Sequence, residues 1–198
     1  MLMNRAEKAI LNNPARRALQ RHYEAPLLQR LGADLQGAHV LEVGCGEGAG
    51  AQTLLGRFGA SRVTAVDLDP SQIARARRRL RDTEQVSVSQ GDITALPLPD
   101  ASVEAVANFG IIHHVPDWRA AIAEVARVLT PGGQFVFEEV TSHALNRWSY
   151  RLLFEHPRRD RFSATEFLDE LERQGLALGG RHTQRCFGDF VLGIAIKS

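Results

Sequence analysis

Short apolar runs alternate with amphipathic stretches along most of this chain. The largely apolar run at 40–43 ends at glycine, as a buried strand does, and Leu54, Leu55 and Phe58 then recur at helical spacing. The same succession continues with further strands predicted at 62–66, 86–89, 103–107 and 134–137. Strands and helices that alternate at intervals of roughly 20–35 residues predict an α/β fold with a parallel sheet and right-handed crossovers.

Capping residues mark where the intervening helices begin and end. Asp69 directly precedes Pro70, and this pair predicts a helix whose first residue is the proline. Asp117 predicts the start of another helix, which we expect to end at the Pro-Gly-Gly sequence at 131–133.

The C-terminal part of the chain has a different pattern. Ser163 and Glu166 form a capping box that begins a last helix, and Gly175 ends it. Two strands follow at 176–184 and 190–196, with a short connection between them. Such a connection joins antiparallel strands, so the sheet is predicted to be mostly parallel with a reversed strand near the C-terminal end.

The chain is predicted to form a single domain, because its 198 residues contain no internal repeat and no low-complexity linker. Apolar residues make up 44% and charged residues 24%, which excludes disordered, collagen-like and coiled-coil chains. Within the domain we predict an N-terminal helical cap, a central core, a segment that is either a lid or a long crossover, and a C-terminal helix with a β-hairpin. These parts span residues 1–35, 36–140, 141–162 and 163–198, respectively.

Charge and cysteine content exclude several classes of protein. The 24 basic and 23 acidic residues give a net charge of +1, so overall charge does not point to nucleic acid. Cys45 and Cys186 form no CxxC motif, so neither a metal site nor a disulfide framework is predicted. Residues 1–5 lack the apolar core of a signal peptide, and no apolar stretch reaches the roughly 20 residues of a membrane helix. Both observations predict a cytoplasmic protein.

Candidate ligand-binding residues follow the first three strands. Ligands of open α/β sheets bind outside the carboxyl ends of the strands. The first strand leads into a loop containing Gly44, Gly46 and Gly48, where a ligand can approach the backbone closely. Asp67 ends the second strand, where an acid can accept hydrogen bonds from both ribose hydroxyls. Asp92 follows the third strand and can accept from the exocyclic amine of a purine.

Taken together, these motifs resemble those of the class I S-adenosyl-L-methionine (SAM)-dependent methyltransferases, in particular the small-molecule and lipid branch that includes ubiquinone and menaquinone biosynthesis enzymes. The segments that carry the resemblance are 40–48, 66–67, 91–93, 112–117 and 129–133. It implies a Rossmann-like fold with a mostly parallel seven-stranded sheet, an antiparallel C-terminal strand and helices on both faces. It also makes residues 36–140 the SAM-binding core.

The resemblance further implies a cofactor-binding role for individual residues. The glycine loop would pass beneath the methionine part of SAM, Asp67 would hold the ribose, and Leu68 and Ile93 would enclose the adenine. Asp92 would bind the adenine amine. The implied cofactor-binding residues are Glu42, Gly44, Cys45, Gly46, Gly48, Asp67, Leu68, Asp92, Ile93, Asn108 and Phe109.

The catalytic residues are less sharply indicated than the cofactor site. Methyl transfer needs in-line alignment of the acceptor, and a general base only where the acceptor must lose a proton. Glu138 and Glu139 end the fifth strand on opposite faces, so one of them is expected to point toward the ligand edge. The remaining candidate bases are His113, His114, His22 and Tyr23.

Three alternative functions remain open at this stage. A nicotinamide-dependent oxidoreductase would share the glycine loop and Asp67, but it does not account for residues 91–93. An RNA-modifying methyltransferase is disfavoured because the Asn-Phe-Gly-Ile sequence at 108–111 lacks the prolines common in enzymes that methylate exocyclic base amines. A SAM-binding protein without catalytic activity fits the same motifs.

Clusters of arginines bear on the acceptor. The N-terminal 30 residues are basic, and a further arginine cluster between 147 and 161 lies beside Trp148 and Tyr150. This pattern is typical of solvated helix faces, and it also fits an anionic or membrane-associated acceptor with peripheral membrane contact.

Overall fold

A computed structural model describes residues 13–145 and 161–198 of the chain. These residues form one mixed eight-stranded sheet with helices on both faces. The strands are β1 (His39–Val43), β2 (Arg62–Asp67), β3 (Val86–Gln90), β4 (Val103–Phe109), β5 (Leu129–Val140), β6 (Leu176–Ala177), β7 (His182–Arg185) and β8 (Phe190–Lys197). The described helices are α1 (Pro14–Leu19), a π-helical turn (Gln20–Glu24), α2 (Ala25–Arg30), α3 (Ala49–Phe58), α4 (Pro70–Arg79), α5 (Trp118–Val128), α6 (Ser142–Leu145) and α7 (Ala164–Arg173), with 3₁₀ turns at Ile112–His114 and Cys186–Gly188.

The strand order is β3-β2-β1-β4-β5-β8-β6, and β7 pairs with β8. The first five strands pair in parallel, whereas β8 runs antiparallel to β5, β6 and β7. Because the chain passes from β1 outward to β3 and then returns to β4 beside β1, the strand order reverses between β1 and β4. This reversal point is where open α/β sheets bind ligands. The predicted α/β architecture is confirmed.

Side-chain alternation divides the core into two layers. On β5, Phe135 and Phe137 pack with α5 and α7, while Val136 packs on the opposite face with α2, α3 and α4. The same alternation on β8 places Val191 in the first layer and Leu192 in the second. Both faces of the sheet are therefore apolar, as strands covered by helices on both sides require.

The predicted caps are present, and two element boundaries differ from the sequence-based expectation. The Asp69, Asp117 and Ser163 side chains each accept a hydrogen bond from the first turn of the helix that follows. The Pro-Gly-Gly sequence at 131–133 does not end α5 but lies within β5. The pairing of β4 with β5 shifts in register at this point, because Val103 pairs with Leu129 whereas Ala105 pairs with Gln134.

The strand predicted at 176–184 is divided in two. Gly179 and Gly180 both have positive φ angles, of 53° and 76°, and they turn the chain between β6 and β7. The sheet therefore has eight strands among the described residues, one more than the seven expected. The extra strand is the two-residue β6.

The predicted lid or crossover at 141–162 falls largely at 146–160, outside the described residues, and so do Trp148 and Tyr150. Residues 1–12 of the predicted N-terminal cap are likewise outside them. Within 13–145 and 161–198, the helices are all too short or too polar to cross a bilayer.

Candidate functional site

The carboxyl ends of β1, β2, β3 and β4 meet along one cleft. Backbone hydrogen bonds connect their loops: the Cys45 N–H donates to the Val66 carbonyl at 3.0 Å, and the Gly91 N–H donates to the Asp67 carbonyl at 3.1 Å. A first cavity of about 280 Å³ extends along the ends of β2 and β3, and a second of about 80 Å³ lies above β1 and β4. Gly44 and Ile111 line both cavities, which therefore adjoin.

The glycine loop requires its glycines for two separate reasons. Gly44, Gly46 and Gly48 all have positive φ angles, of 67°, 53° and 84°, a region that side chains with a Cβ rarely adopt. A Cβ on Gly44 would also lie 2.4 Å from the side chain of Ile111. The loop can therefore pass close under the 108–111 segment only with glycine at this position.

Asp67 joins the glycine loop to the end of β2. Its Oδ2 accepts a hydrogen bond from the Gly46 N–H at 2.8 Å, and its Oδ1 accepts from the Asp69 N–H at 2.8 Å. The side chain is nearly buried and lines the first cavity. Because a carboxylate offers about four acceptor sites and this one lines the cavity, Asp67 is placed to accept from a ligand as well as from the backbone.

Asp92, Leu68 and Ile93 also line the first cavity. The Asp92 Oδ1 accepts from the backbone N–H and the hydroxyl of Thr94, at 2.9 and 2.8 Å, which fixes the side chain at the mouth of the cavity. Leu68 is unusually exposed for its type, at 44%, whereas Ile93 is buried. Both residues contribute apolar surface to the lining of the cavity.

Glu42 is a buried acid beneath the second cavity. Burial, and then the negative charge of Asp67, raise the pKa of Glu42 to about 8, against a favourable hydrogen bond from the Ala51 N–H. Among the described residues its Oε2 has no hydrogen-bond partner. Because an unpaired buried carboxylate oxygen is costly, this oxygen is suited to a positively charged ligand group in the cavity.

Two glycines of α3 give a matched test of the packing around Glu42. A Cβ on Gly50 would lie 1.8 Å from the Glu42 Oε1, whereas a Cβ on Gly56 would meet nothing within 4 Å. We expect Gly50→Ala to lower the free energy of unfolding by about 1–3 kcal/mol through overpacking. Gly56→Ala is expected to raise it by about 0.5–1 kcal/mol through helix propensity. Urea denaturation of both variants measures this difference, and equal effects would contradict the packing described.

The N-terminal helical segment contributes polar residues that the sequence analysis missed. Arg16 and Gln20 line the second cavity, as does Gln72 of α4. Glu47 of the glycine loop accepts hydrogen bonds from Arg17 of α1 at 2.6 Å and from Arg79 of α4 at 2.5 Å, and these bonds fasten both helices to the loop. Arg16 and Gln20 are four residues apart, so the sequence indicates that they share one face of a helix. The same spacing also fits a polar face that only contacts solvent.

Of the predicted residues at the end of β4, Phe109 lines the second cavity and Asn108 does not. The Asn108 side chain is fully buried and donates to the Glu139 Oε1 at 2.6 Å. The same carboxylate accepts from the Ile112 N–H at 2.6 Å and is 2.7 Å from the His113 Nδ1. Glu139 and His113 are thus occupied in fixing the 108–113 segment, and neither lines a cavity.

The remaining candidate residues are distributed as follows. Glu138 points to the N-terminal segment, where its Oε1 accepts from Arg16 at 3.1 Å. His114 lines the first cavity and stacks on His113, with 4.1 Å between ring centroids. His22 and Tyr23 are exposed.

Cys45 lines the second cavity, but burial strongly raises the pKa of its thiol, so it is not a nucleophile.

Among the described residues, acidic side chains outnumber basic ones in the lining of both cavities, although Glu47 of the second is paired with Arg17 and Arg79. Asp67, Asp69, Asp92 and Asp117 line the first, with no lysine or arginine among the described residues around it. The second has Glu42 and Glu47 against a single arginine. This lining favours a cationic ligand and opposes a pyrophosphate, which would carry its negative charges into a group of acids.

Comparison with known proteins is consistent with this geometry. Residues 41–137 match the family described as a methyltransferase domain. A probable S-adenosylmethionine-dependent methyltransferase of Mycolicibacterium smegmatis is 43% identical over 108 residues, which are 54% of this chain and 40% of that protein. A fatty-acid O-methyltransferase of the same organism is 41% identical over 107 residues, which are 54% of this chain and 39% of that protein. The chain thus spans about two fifths of the length of these curated relatives.

Solved structures match over nearly the whole chain. One is a chain of the complex between the Haloferax volcanii Trm112 methyltransferase activator and a putative methyltransferase. It superimposes with a TM-score of 0.78 at 20% identity, over 96% of this chain and 94% of that chain. At this identity the match shows the fold alone.

Proposed function

We propose that this chain, whose residues 41–137 form a domain of the class I SAM-dependent methyltransferase family, transfers a methyl group from SAM to a small-molecule or lipid-like acceptor. The observation that carries the proposal is the acid-lined cleft along which the glycine loop, Asp67 and Asp92 lie together. SAM bears a sulfonium and an ammonium, so it complements a cleft of this charge.

In this proposal the first cavity takes the adenosine and the second takes the methionine part. Asp67 binds the ribose hydroxyls, Asp92 accepts from the adenine amine, and Leu68 and Ile93 enclose the ring. Glu42 accepts from the ammonium with the oxygen that otherwise has no partner. The remaining proposed contacts are made by Gly44, Cys45, Gly46 and Phe109, which line the second cavity. Gly48 and Asn108 line neither cavity, so their proposed contribution is to shape the glycine loop and the end of β4.

The bound cofactor supplies an electrophilic methyl group, so the protein need not activate the donor. What the chain must supply is alignment of the acceptor behind the carbon–sulfur bond, a contribution that reaches about 7–11 kcal/mol in well-oriented systems. The N-terminal segment supports this role, because the Arg17–Glu47 ion pair fastens it over the glycine loop beside the second cavity.

A lipid-like acceptor is supported by one of the relatives, which is described as a fatty-acid O-methyltransferase. Peripheral membrane contact belongs to the same proposal, because Leu19 and Tyr23 are 48% and 51% exposed on the N-terminal segment beside the second cavity. Flotation with anionic vesicles measures it, and a protein that stays in the unbound fraction would contradict it.

Calorimetry distinguishes the proposed cofactor from a nicotinamide. We expect SAM and its demethylated product to bind saturably in the micromolar range, and NAD⁺ to bind at least tenfold more weakly. Transfer of label from radioactive SAM to a component of cell extract then separates an enzyme from a SAM-binding protein without activity. Binding of NAD⁺ in preference to SAM would overturn the proposal, and binding without transfer would reduce it to cofactor binding.

Glu42 makes SAM binding depend on pH in a defined direction. Its pKa of about 8 means that the free protein holds a proton there at neutral pH, which a cationic ligand must displace. Binding is therefore expected to strengthen as pH rises from about 6 to about 7.5, below the range in which the α-amino group of SAM loses its own proton, with proton release on binding. Glu42→Gln should remove both effects. Calorimetry in buffers of different ionisation enthalpy measures the proton release, and a pH-independent affinity in the unaltered protein would exclude this role for Glu42.

The raised pKa of Glu42 also makes the stability of the fold depend on pH. A carboxyl whose pKa is raised on folding binds more protons in the folded state than in the unfolded state, so stability falls as pH rises between its unfolded and folded pKa values. For Glu42 this range extends from an ordinary carboxyl pKa to about 8. Glu42→Gln should therefore show a smaller loss of stability than the unaltered protein over this range.

A further inference from the structure

Phe187 is the most exposed large apolar side chain among the described residues, at 96%. It lies in the turn between β7 and β8, where its backbone has a φ of 59° and a ψ of 32°. Cys186 before it also has a positive φ, of 53°. This left-handed region is rare for residues with bulky side chains, and each such residue costs free energy. The turn therefore holds an aromatic ring in water despite this cost, which indicates a binding role for the ring.

The turn that carries Phe187 is firmly attached to the end of β5. The Thr141 N–H donates to the Asp189 carbonyl at 2.9 Å, and the Thr141 hydroxyl donates to the Gly188 carbonyl at 2.6 Å. The Asp189 side chain is buried, and its Oδ1 lies 2.7 Å from the Nδ1 of His143. These bonds fix the turn, so the position of the Phe187 ring is set by the fold.

The register of β8 shows where the turn lies. β8 runs antiparallel to β5, and its first residue, Phe190, pairs with Val140, the last residue of β5. The turn before β8 is therefore at the carboxyl end of β5. The cleft lies at the carboxyl ends of β1 to β4, so Phe187 is exposed at the same edge of the sheet as the cleft.

Two further exposed apolar side chains reach this edge from the other end of the sequence. Leu19 and Tyr23 are about half exposed on the N-terminal segment. Arg16 of that segment donates to the Glu138 Oε1 at 3.1 Å, which attaches the segment to the same end of β5. We call the described residues at this place, 13–24, 138–145 and 185–190, the β5–β8 edge. Apolar side chains from two distant parts of the chain are thus exposed together there.

The charges of the β5–β8 edge are sorted by burial. Its acids are all buried, with at most 5% of each residue exposed: Glu24, Glu138, Glu139 and Asp189. Its exposed basic and imidazole side chains are Arg21, His22, His143 and Arg185. The surface of this edge is therefore basic and apolar, although the chain as a whole has a net charge of only +1. A surface of this composition complements anionic headgroups over an apolar layer.

We propose that the β5–β8 edge docks on an anionic lipid bilayer, with Phe187 inserted as the main apolar anchor. This inference rests on the proposed function and assigns a surface to its membrane contact. Arg21 and Arg185 face the headgroups, and Tyr23 lies at the interface, where an amphipathic ring is favoured. The N-terminal segment borders the second cavity through Arg16 and Gln20. Docking in this orientation brings that cavity to the lipid surface, so a lipid-like acceptor can reach it from the bilayer.

Phe187→Asn tests the anchor, because asparagine tolerates a positive φ but is polar. Flotation compares vesicles of equimolar phosphatidylcholine and phosphatidylglycerol with vesicles of phosphatidylcholine alone. We expect the unaltered protein to bind the mixed vesicles more tightly. Phe187→Asn should weaken this binding by about tenfold or more, as the loss of a buried phenylalanine side chain implies. An unchanged partition coefficient would overturn the anchor role.

Phe187→Gly separates an anchor from a residue that stabilises the fold. Glycine adopts a positive φ without strain, so we expect the melting temperature to stay or rise while vesicle binding falls as in Phe187→Asn. A fall in both quantities would assign Phe187 to the fold and overturn the proposal. Sedimentation adds a further test: a dimer that Phe187→Asn converts to a monomer would assign the turn to contact between copies of the chain, against the proposal.

Arg185→Gln and Arg62→Gln form a matched pair that tests the orientation on the bilayer. Both arginines are exposed, but Arg62 is the first residue of β2 and lies at the opposite edge of the sheet. Arg185→Gln should weaken binding to the mixed vesicles by about fivefold, since one basic residue near an anionic surface contributes about that factor. Arg62→Gln should leave binding unchanged. Equal losses in the two variants would contradict docking through the β5–β8 edge.

The outcome for the bilayer is independent of the outcome for the cofactor. Calorimetry with SAM in the absence of vesicles tests the proposed function, and we expect Phe187→Asn to keep the Kd for SAM, because Phe187 lines neither cavity. A protein that binds SAM but stays unbound in flotation would overturn the docking surface and leave the cofactor assignment intact. A protein that floats but does not bind SAM would overturn the proposed function.

Discussion

Asp67→Ala is expected to weaken SAM binding by at least about a hundredfold. In the proposed complex the Asp67 carboxylate accepts from both ribose hydroxyls, and hydrogen bonds to charged groups contribute about 1.5–3 kcal/mol each. Two such bonds correspond to roughly a hundredfold or more in Kd, since 1.4 kcal/mol is tenfold. The substitution also removes the acceptor of the Gly46 N–H, which leaves the glycine loop less well fixed. Calorimetry with SAM measures the loss directly.

Two further variants separate binding from loop structure. Asp67→Asn keeps the shape and one acceptor oxygen, so we expect an intermediate loss of affinity. Asp82→Ala changes an aspartate whose side chain is 86% exposed and should leave the Kd unchanged. If Asp67→Ala binds SAM within about threefold of the unaltered protein, the ribose role of Asp67 is wrong. A lower melting temperature without loss of affinity would assign Asp67 to the loop alone.

The sequence is sufficient to predict the part of the cleft that is formed by residues at the carboxyl ends of the parallel strands. Gly44 follows β1, Asp67 is the last residue of β2 and Asp92 lies two residues beyond β3, and parallel strands bring their carboxyl ends to one edge. Local chemistry also predicts the caps at Asp69, Asp117 and Ser163, because a cap depends on residues within a few positions. These features need no knowledge of long-range packing.

The other half of the site depends on contacts between distant parts of the chain. Arg16 and Glu138 are 122 residues apart, and nothing in the local pattern around either residue indicates the other. The row of Arg16, Gln20 and Glu24 reads in sequence as a solvated helix face, since polarity usually marks the exposed side. Only the position of the N-terminal segment over the glycine loop shows that this face is turned inward.

The pair Glu138 and Glu139 shows the same limit at a single strand end. Alternation along β5 predicts that the two side chains leave on opposite faces, and they do. It does not predict which of them meets the 108–113 segment, because that depends on the donors of Asn108 at the end of β4 and of Ile112 in the 3₁₀ turn that follows. The two acids therefore have different surroundings although they are adjacent in sequence.

Glu139→Ala is expected to be among the most destabilising single substitutions in the chain. The Glu139 carboxylate is fully buried and accepts from the Asn108 side chain, the Ile112 N–H, and the backbone and ring of His113. Removing it leaves several buried donors without an acceptor, and losing one partner of a buried charged network costs about 3–5 kcal/mol. Urea denaturation measures the change, with the exposed Glu84→Ala as the control.

Glu139→Gln separates the charge of this side chain from its shape. A carboxamide keeps one acceptor oxygen but turns an NH₂ group toward N–H donors, so we expect a loss smaller than that of alanine but still above 1 kcal/mol. Because Glu139 lines neither cavity, SAM affinity should fall only as far as the 108–113 segment becomes disordered. Stability within about 1 kcal/mol of the unaltered protein for Glu139→Ala would contradict the network.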